Sequence, residues 1–242
     1  MNSIKLILSL SLPALRRNRA LLSLVLVCAT ASIQAAAQSY LPAGLPDPVA
    51  LLAPPPLAIS TEQAADMAST VAVFKARTPQ EELLCRSETK FTIFSFAPVI
   101  GPFFQPGKFP VTEAFFQQVQ RETSAVTDSA KNFWKRPRPY MLDLELAAAG
   151  GALEKGYSYP SGHSTRAMVL GLLLAELFPD RKDSILEEGR NIGWHRVEIG
   201  RHYPTDIYAG RTLAQAIVRE FKANPAFQAD LAKVKDELAR RQ

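Results

Sequence analysis

The sequence Tyr159-Pro160-Ser161-Gly162-His163-Ser164 runs directly into a strongly apolar stretch, with Met168, Val169, Leu170, Leu172, Leu173, Leu174, Leu177 and Phe178 at helical spacing. The chain is organised around this helix. Its start, just after a proline and a glycine, presents unpaired backbone N–H groups and the positive end of the helix dipole, which together make an anion site. His163 stands beside that site. The three histidines of the chain, His163, His195 and His202, all fall within residues 163–202, where chance would scatter them.

The other elements are read from caps and breakers. Gln38 to Pro56 is rich in proline, which opposes regular helix and suggests an extended arm, residues 38–59, laid over a domain of residues 60–242. Ser60 with Gln63 makes a capping box and opens a helix through Phe74; Thr78-Pro79-Gln80-Glu81 repeats the device for a helix towards Lys90. Phe91 to Phe104, broken by Pro98, Gly101 and Pro102, predicts short helical pieces or irregular chain. A long helix starts at Thr112, carries Phe115, Phe116, Val119 and Val126 on one face, and stops at Pro137 and Pro139. Gly150-Gly151 marks a loop. The central helix ends at Phe178-Pro179, Asp180 to Gly200 supplies the next, Pro204 opens another, and Asn224-Pro225 precedes a last amphipathic helix. No run of alternating residues is long enough for a sheet, so the fold class is all-α, in one compact bundle.

The N-terminus bears on compartment and partners. Lys5, Arg16, Arg17 and Arg19, an apolar run from Ala20 to Ala31, and Ala35-Ala36-Ala37 predict a secretory signal over residues 1–37. Its removal takes away four basic residues and no acidic one, so the net charge falls from +5 to about +1. That small excess argues against a nucleic-acid polymer as partner. No segment after residue 37 reaches the length of a membrane span, so no membrane association is expected once the signal is gone. Cys85 is then the one remaining cysteine and cannot make an internal disulfide.

Three basic side chains flank the central element, Lys131 and Arg138 before it and Arg196 after it. Guanidinium forks match phosphate oxygens, and an ammonium adds a point charge. Lys135 and Arg136 belong to the same basic cluster at a helix C-terminus, where such residues favourably cap the dipole; changes there are expected to matter far less. His202 and Asp206 are four apart, so the carboxylate can reach one imidazole nitrogen, fix the tautomer, and leave the other nitrogen to attack. His163 can then protonate a leaving oxygen. Such a set suits phosphoryl transfer through a covalent histidine, with no cluster of carboxylates or further histidines suggesting a metal.

Lys131, six residues, Arg138-Pro139; then Pro160-Ser161-Gly162-His163; then Arg196, five residues, His202, three residues, Asp206 resembles the three-part signature of the type 2 phosphatidic acid phosphatase (PAP2) superfamily, which includes the vanadium haloperoxidases. Ser158 to Ser164 is similar, more narrowly, to the bacterial class A non-specific acid phosphatases. The resemblance implies a compact all-helical domain, a periplasmic location, no metal and no other cofactor, small phosphate monoesters as substrates, and vanadate inhibition. It also leaves a homo-oligomer open. Carried over by position, His202 is the nucleophile, Asp206 its orienter and His163 the general acid, while Lys131, Arg138, Ser161, Gly162 and Arg196 hold the phosphoryl oxygens.

Two departures stand out. The family usually has Ser before the third-block Arg, and this chain has His195, which has either a supporting role or a second proton-transfer role. Class A relatives often carry a cysteine pair, and here there is only Cys85. The alternatives that stay open are a lipid phosphate or diphosphate phosphatase of the same superfamily, a vanadate-dependent haloperoxidase, and a phosphate-binding protein without turnover.

Overall fold

The computed structural model describes residues 38–148 and 154–240; the expected signal segment and the Gly150-Gly151 loop lie outside the described residues. Ten α-helices and four short 3-10 turns account for the regular structure, with no strand among the described residues. The helices are α1 (Pro48–Leu51), α2 (Thr61–Ala76), α3 (Pro79–Ser87), α4 (Ala97–Ile100), α5 (Pro110–Trp134), α6 (Leu144–Ala148), α7 (Gly162–Leu177), α8 (Lys182–Glu198), α9 (Pro204–Ala223) and α10 (Pro225–Ala239).

Their starts follow the caps. Ser60 Oγ accepts from Gln63 N at the head of α2, and Thr78 with Glu81 forms the reciprocal pair at α3. The proline-rich segment does include one helical turn, α1, because Pro48 occupies the first helical position, where its missing N–H costs nothing, and Asp47 caps the turn. The expected irregular stretch holds a 3-10 turn, Ile93–Phe96, continuing into α4. α5 begins at Pro110, two residues before the expected start, and ends where Lys135 adopts the left-handed conformation (φ 51°) ahead of Pro137.

α7 is the central element. Leu170, Leu173 and Leu174 are wholly buried, and the helix packs most extensively against α8 and α9 and then against α5. Close approach is enforced by glycines facing Ser164: a Cβ on Gly210 of α9 would lie 2.8 Å from the Ser161 carbonyl oxygen, and one on Gly193 of α8 would lie 3.1 Å from Ser164. No larger side chain fits between these helices without a shift. The start of α7, the C-terminal end of α8 and the start of α9 are thereby brought together.

At the other side of the bundle, Tyr40 packs on Phe115, Phe221 and Phe227 with ring centroids 5.3–6.1 Å apart, and its hydroxyl donates to Asp230 at 2.7 Å. Glu122 of α5 accepts the backbone N–H groups of Tyr40 and Leu41. Burial of each ring contributes about 1.5–3 kcal/mol, enough to hold this segment on the domain.

Candidate active site

α5 ends in a chain reversal that aims successive basic residues in different directions. Lys131, on the last turn, donates through Nζ to the carbonyls of Tyr157 (2.6 Å) and Ser158 (3.2 Å). Arg138, four residues past the helix, is 4 % exposed at its side chain and pairs with Glu154 at 2.8 Å. Lys131, Arg138, Gly162, His163 and His202 line a single pocket of about 370 Å³, joined by Arg166, Asp128 and Glu154. Five of the eight residues expected in the site therefore share one cavity.

The other three stand just behind it. Ser161 is fully buried and its Oγ caps α7 by accepting from Ser164 N at 3.3 Å, which leaves the hydroxyl proton free of that bond. Arg196 is buried and pairs with the Glu154 carboxylate, whose other oxygen takes Arg138. Glu154 thus lies between the two guanidiniums. Asp206, wholly buried, sits under His202.

The histidine geometry fixes a tautomer. Arg138 Nη1 lies 3.2 Å from His202 Nε2, and a guanidinium can only donate, so Nε2 is the acceptor and carries a lone pair. The ring proton is then on Nδ1, which donates to Asp206 Oδ2 at 3.1 Å. That oxygen also accepts from Tyr203 N at 3.0 Å and from the Ser158 hydroxyl. Nε2 can act as a nucleophile once it gives up the Arg138 bond, and Asp206 can support positive charge that develops on the ring.

Burial and the cationic surroundings set the charge states. Burial, then Arg138 and Lys131, hold His202 well below its usual 6.5. Burial followed by the neighbouring Arg196 pushes His163 down to about 3, and burial followed by Arg138 pulls Lys131 down to about 7. Burial alone would raise Glu154, but Arg196 and Arg138 outweigh it and hold it at about 2. Beyond burial, the neighbouring cations push all four groups in the direction expected of a positively charged pocket.

A stability prediction follows for His163. Its folded pKa lies below that of the unfolded chain, so the unfolded state binds the proton first; its contribution is complete above pH 6.5 and is lost as pH falls from 6.5 towards 3. Glu154 adds acid sensitivity of the same sign below 4.5. His163→Gln should decline less in Tm over the upper part of that window, and phosphate should flatten the decline of the wild type. Parallel Tm profiles for wild type and variant, without phosphate, would refute the assignment.

Two parts of the site were not legible in the sequence. The first is Arg136, assigned above to the basic cluster that caps a helix C-terminus. It is 4 % exposed, and its Nη1 donates to Asp206 Oδ1 at 2.7 Å while Nη2 donates to Asp66 Oδ2 at 2.7 Å and to Gln63 Oε1 at 2.7 Å. Its guanidinium also lies 3.9 Å over the Tyr203 ring. Arg136 therefore fixes the carboxylate that fixes His202, and the expectation that it matters as little as exposed Lys135 is corrected. The second is Thr89, whose carbonyl lies 3.2 Å from His163 Nε2, so that nitrogen carries the proton in the empty site. His195 does not line the pocket; its Nδ1 donates to Glu88 at 2.5 Å.

A model of the PAP2 superfamily matches residues 122–226, the span that contains every residue of the expected site. The chain is similar to the non-specific acid phosphatase of Salmonella typhi, at 33 % identity over 147 residues, which cover 59 % of each protein. The non-specific acid phosphatase of Providencia stuartii is 32 % identical over 154 residues, 59 % of this chain and 62 % of that one. The chain thus spans about three fifths of the length of these relatives. The acid phosphatase of Zymomonas mobilis is 28 % identical over 199 residues, 79 % of this chain and 75 % of the relative. In fold, the chain is similar to a transmembrane PAP2-type phosphatidylglycerolphosphate phosphatase from Bacillus subtilis, with a TM-score of 0.50 and 21 % identity over 69 % of this chain and 87 % of that one. Among the described residues of the present chain, no helix is long and apolar enough to cross a membrane.

Proposed function

We propose, since the chain carries a PAP2-superfamily domain over residues 122–226, that it is an exported acid phosphatase hydrolysing small phosphate monoesters through a phosphohistidine on His202, without a metal in the reaction. The observation that carries this reading is the bond from Arg138 Nη1 to His202 Nε2, which makes that nitrogen the unprotonated one and sets it beside a guanidinium that can hold phosphate. The names of the acid phosphatase relatives point the same way. A binding protein without turnover has no use for a histidine held in one tautomer by a buried carboxylate.

On this reading the ester displaces Glu154 from between Arg138 and Arg196, and its oxygens are held by those guanidiniums, Lys131, the Ser161 hydroxyl and the first N–H groups of α7. His202 Nε2 attacks phosphorus as the P–O bond to the alcohol breaks, and the departing oxygen takes a proton from His163. The bound dianion offsets the cations that, with burial, keep His163 neutral, and so favours the proton it needs. Water then attacks phosphorus, giving a proton to His163, as the phosphorus–nitrogen bond breaks, its electron pair returns to His202 Nε2 and phosphate leaves. Vanadate, which adopts the five-coordinate geometry of the transferring group, should compete with substrate. Export rests on the signal-type sequence of residues 1–37.

Hydrolysis of p-nitrophenyl phosphate in EDTA by wild type and three variants tests the proposal. The wild type is expected to keep its activity. Arg138→Ala and Arg196→Ala should each lose on the order of a hundredfold or more, because each removes charge focused on the transferring group, while Lys135→Ala changes little. Complete loss of wild-type activity on chelation, recovered with a divalent ion, would refute the metal-free reaction; equal losses at all three positions would indicate a general basic patch.

A further inference from the structure

The two departures from the family pattern, His195 and Cys85, meet in space. Cys85 ends α3 fully buried, His195 lies on the last turns of α8, and one ligand atom from each of Cys85, His195 and Glu198 falls within 4.8 Å of the others. The Cys85 thiol donates to Glu198 Oε2 at 3.1 Å. We propose that Cys85, His195 and Glu198 form a Zn²⁺ site that clips α3 to α8, outside the catalytic pocket. A thiolate, an imidazole and a carboxylate are the donor set of a borderline cation, and three protein ligands leave a fourth position for water.

The surroundings fit that use. Glu88 Oε2 accepts from His195 Nδ1 at 2.5 Å, which fixes the tautomer and leaves Nε2 as the unprotonated nitrogen a metal would take, as a carboxylate behind a zinc-bound histidine does. Bond lengths of about 2.0–2.3 Å at tetrahedral angles put donors roughly 3.3–3.8 Å apart, so the set closes on a cation with shifts on the order of 1 Å. His195 keeps 15 % of its side chain exposed, giving the ion a way in to a thiol that is otherwise sealed. Coordination replaces the S–H bond by S–Zn, and the thiol proton leaves to solvent.

The position makes the clip consequential. Glu88 precedes Thr89, whose carbonyl holds His163, and His195 precedes Arg196, which pairs with Glu154. Zn²⁺ would thus brace the supports of both residues without touching the ester. Because the cation stabilises the fold and takes no part in the reaction, chelation should lower Tm while leaving phosphatase activity at low temperature in place.

Co²⁺ titration of the purified full chain tests this, read by absorption. The expected result is about one equivalent bound, with a sulfur-to-cobalt charge-transfer band that Zn²⁺ displaces, and loss of the band in Cys85→Ser. His195→Gln and Glu198→Gln should weaken binding at least tenfold. In the wild type, Zn²⁺ should also protect Cys85 from a thiol reagent in mild denaturant, a measurement that does not depend on any variant folding. Absence of the band in the wild type, binding unchanged in Cys85→Ser, or no protection by Zn²⁺ would overturn the site and leave Cys85 as a hydrogen-bonded core residue. Metal bound instead through His163 or His202 would give binding without the sulfur band.

Discussion

His202→Ala is expected to abolish phosphoenzyme formation with every phosphate ester and to lower kcat by on the order of 10⁴-fold or more. The reason lies in the bonds around the ring: Nε2 carries no proton and lies beside Arg138 on the pocket wall, and Nδ1 is committed to Asp206. His163→Ala should behave differently. An alkoxide needs a proton as it departs, whereas p-nitrophenolate leaves well without one, so this variant should still be phosphorylated by the activated ester while failing on alkyl phosphates. The second half-reaction, in which His163 takes a proton from water, should slow, and the intermediate should accumulate. Rapid quench into alkali, where phosphohistidine survives, followed by mass spectrometry locates the label. A label on His163 or His195, or equal inactivity of His163→Ala towards both ester classes, would overturn the two roles.

How much of this was legible in the sequence depends on whether the information is local. Helix starts are local: a capping side chain and a proline at the first helical position are a few residues apart, and Ser60 and Thr78 cap the helices expected of them. The pairing of His202 with Asp206 is also local, four residues across the first turn of a helix. The central helix is legible from its uninterrupted apolar character, since such a helix must be covered. Arg136 was not legible because its meaning is set by Asp66, seventy residues earlier on α2, and by Asp206, seventy residues later on α9. In a run with Lys131, Lys135 and Arg138 nothing local separates a dipole cap from a buried clamp. The separation comes from the left-handed turn at Lys135, which leaves that side chain in solvent and turns the next one inward. Cys85 and His195 were visible as departures, but their proximity depends on how α3 packs on α8, which no spacing encodes.

Arg136→Ala is expected to cost about 3–5 kcal/mol of stability, the range for removing one partner of a buried ion pair, and to lower kcat as well. The guanidinium answers two buried carboxylates, Asp66 and Asp206, and both would remain after its loss. Asp66 keeps Thr205, which donates to it from its backbone N–H and its hydroxyl. Asp206 keeps His202, Ser158 and Tyr203 on Oδ2, but among the described residues only Arg136 reaches its Oδ1, so the carboxylate loses the bond that sets its orientation and the His202 ring can shift with it. The kinetic signature should therefore be a fall in kcat with little change in KM, since the variant leaves the phosphate side chains in place and misaligns the nucleophile. Arg136→Lys tests charge against geometry: one ammonium cannot reach both carboxylates along separate edges as the fork does, so it should recover part of the stability and little of kcat. Double variants sharpen the assignment. With Asp206→Asn already present, Arg136→Ala should lower kcat by much less than it does alone, because both act through the orientation of His202. Full additivity of the two losses in kcat, or a variant whose Tm falls while kcat holds at temperatures where it is folded, would reduce Arg136 to a packing residue.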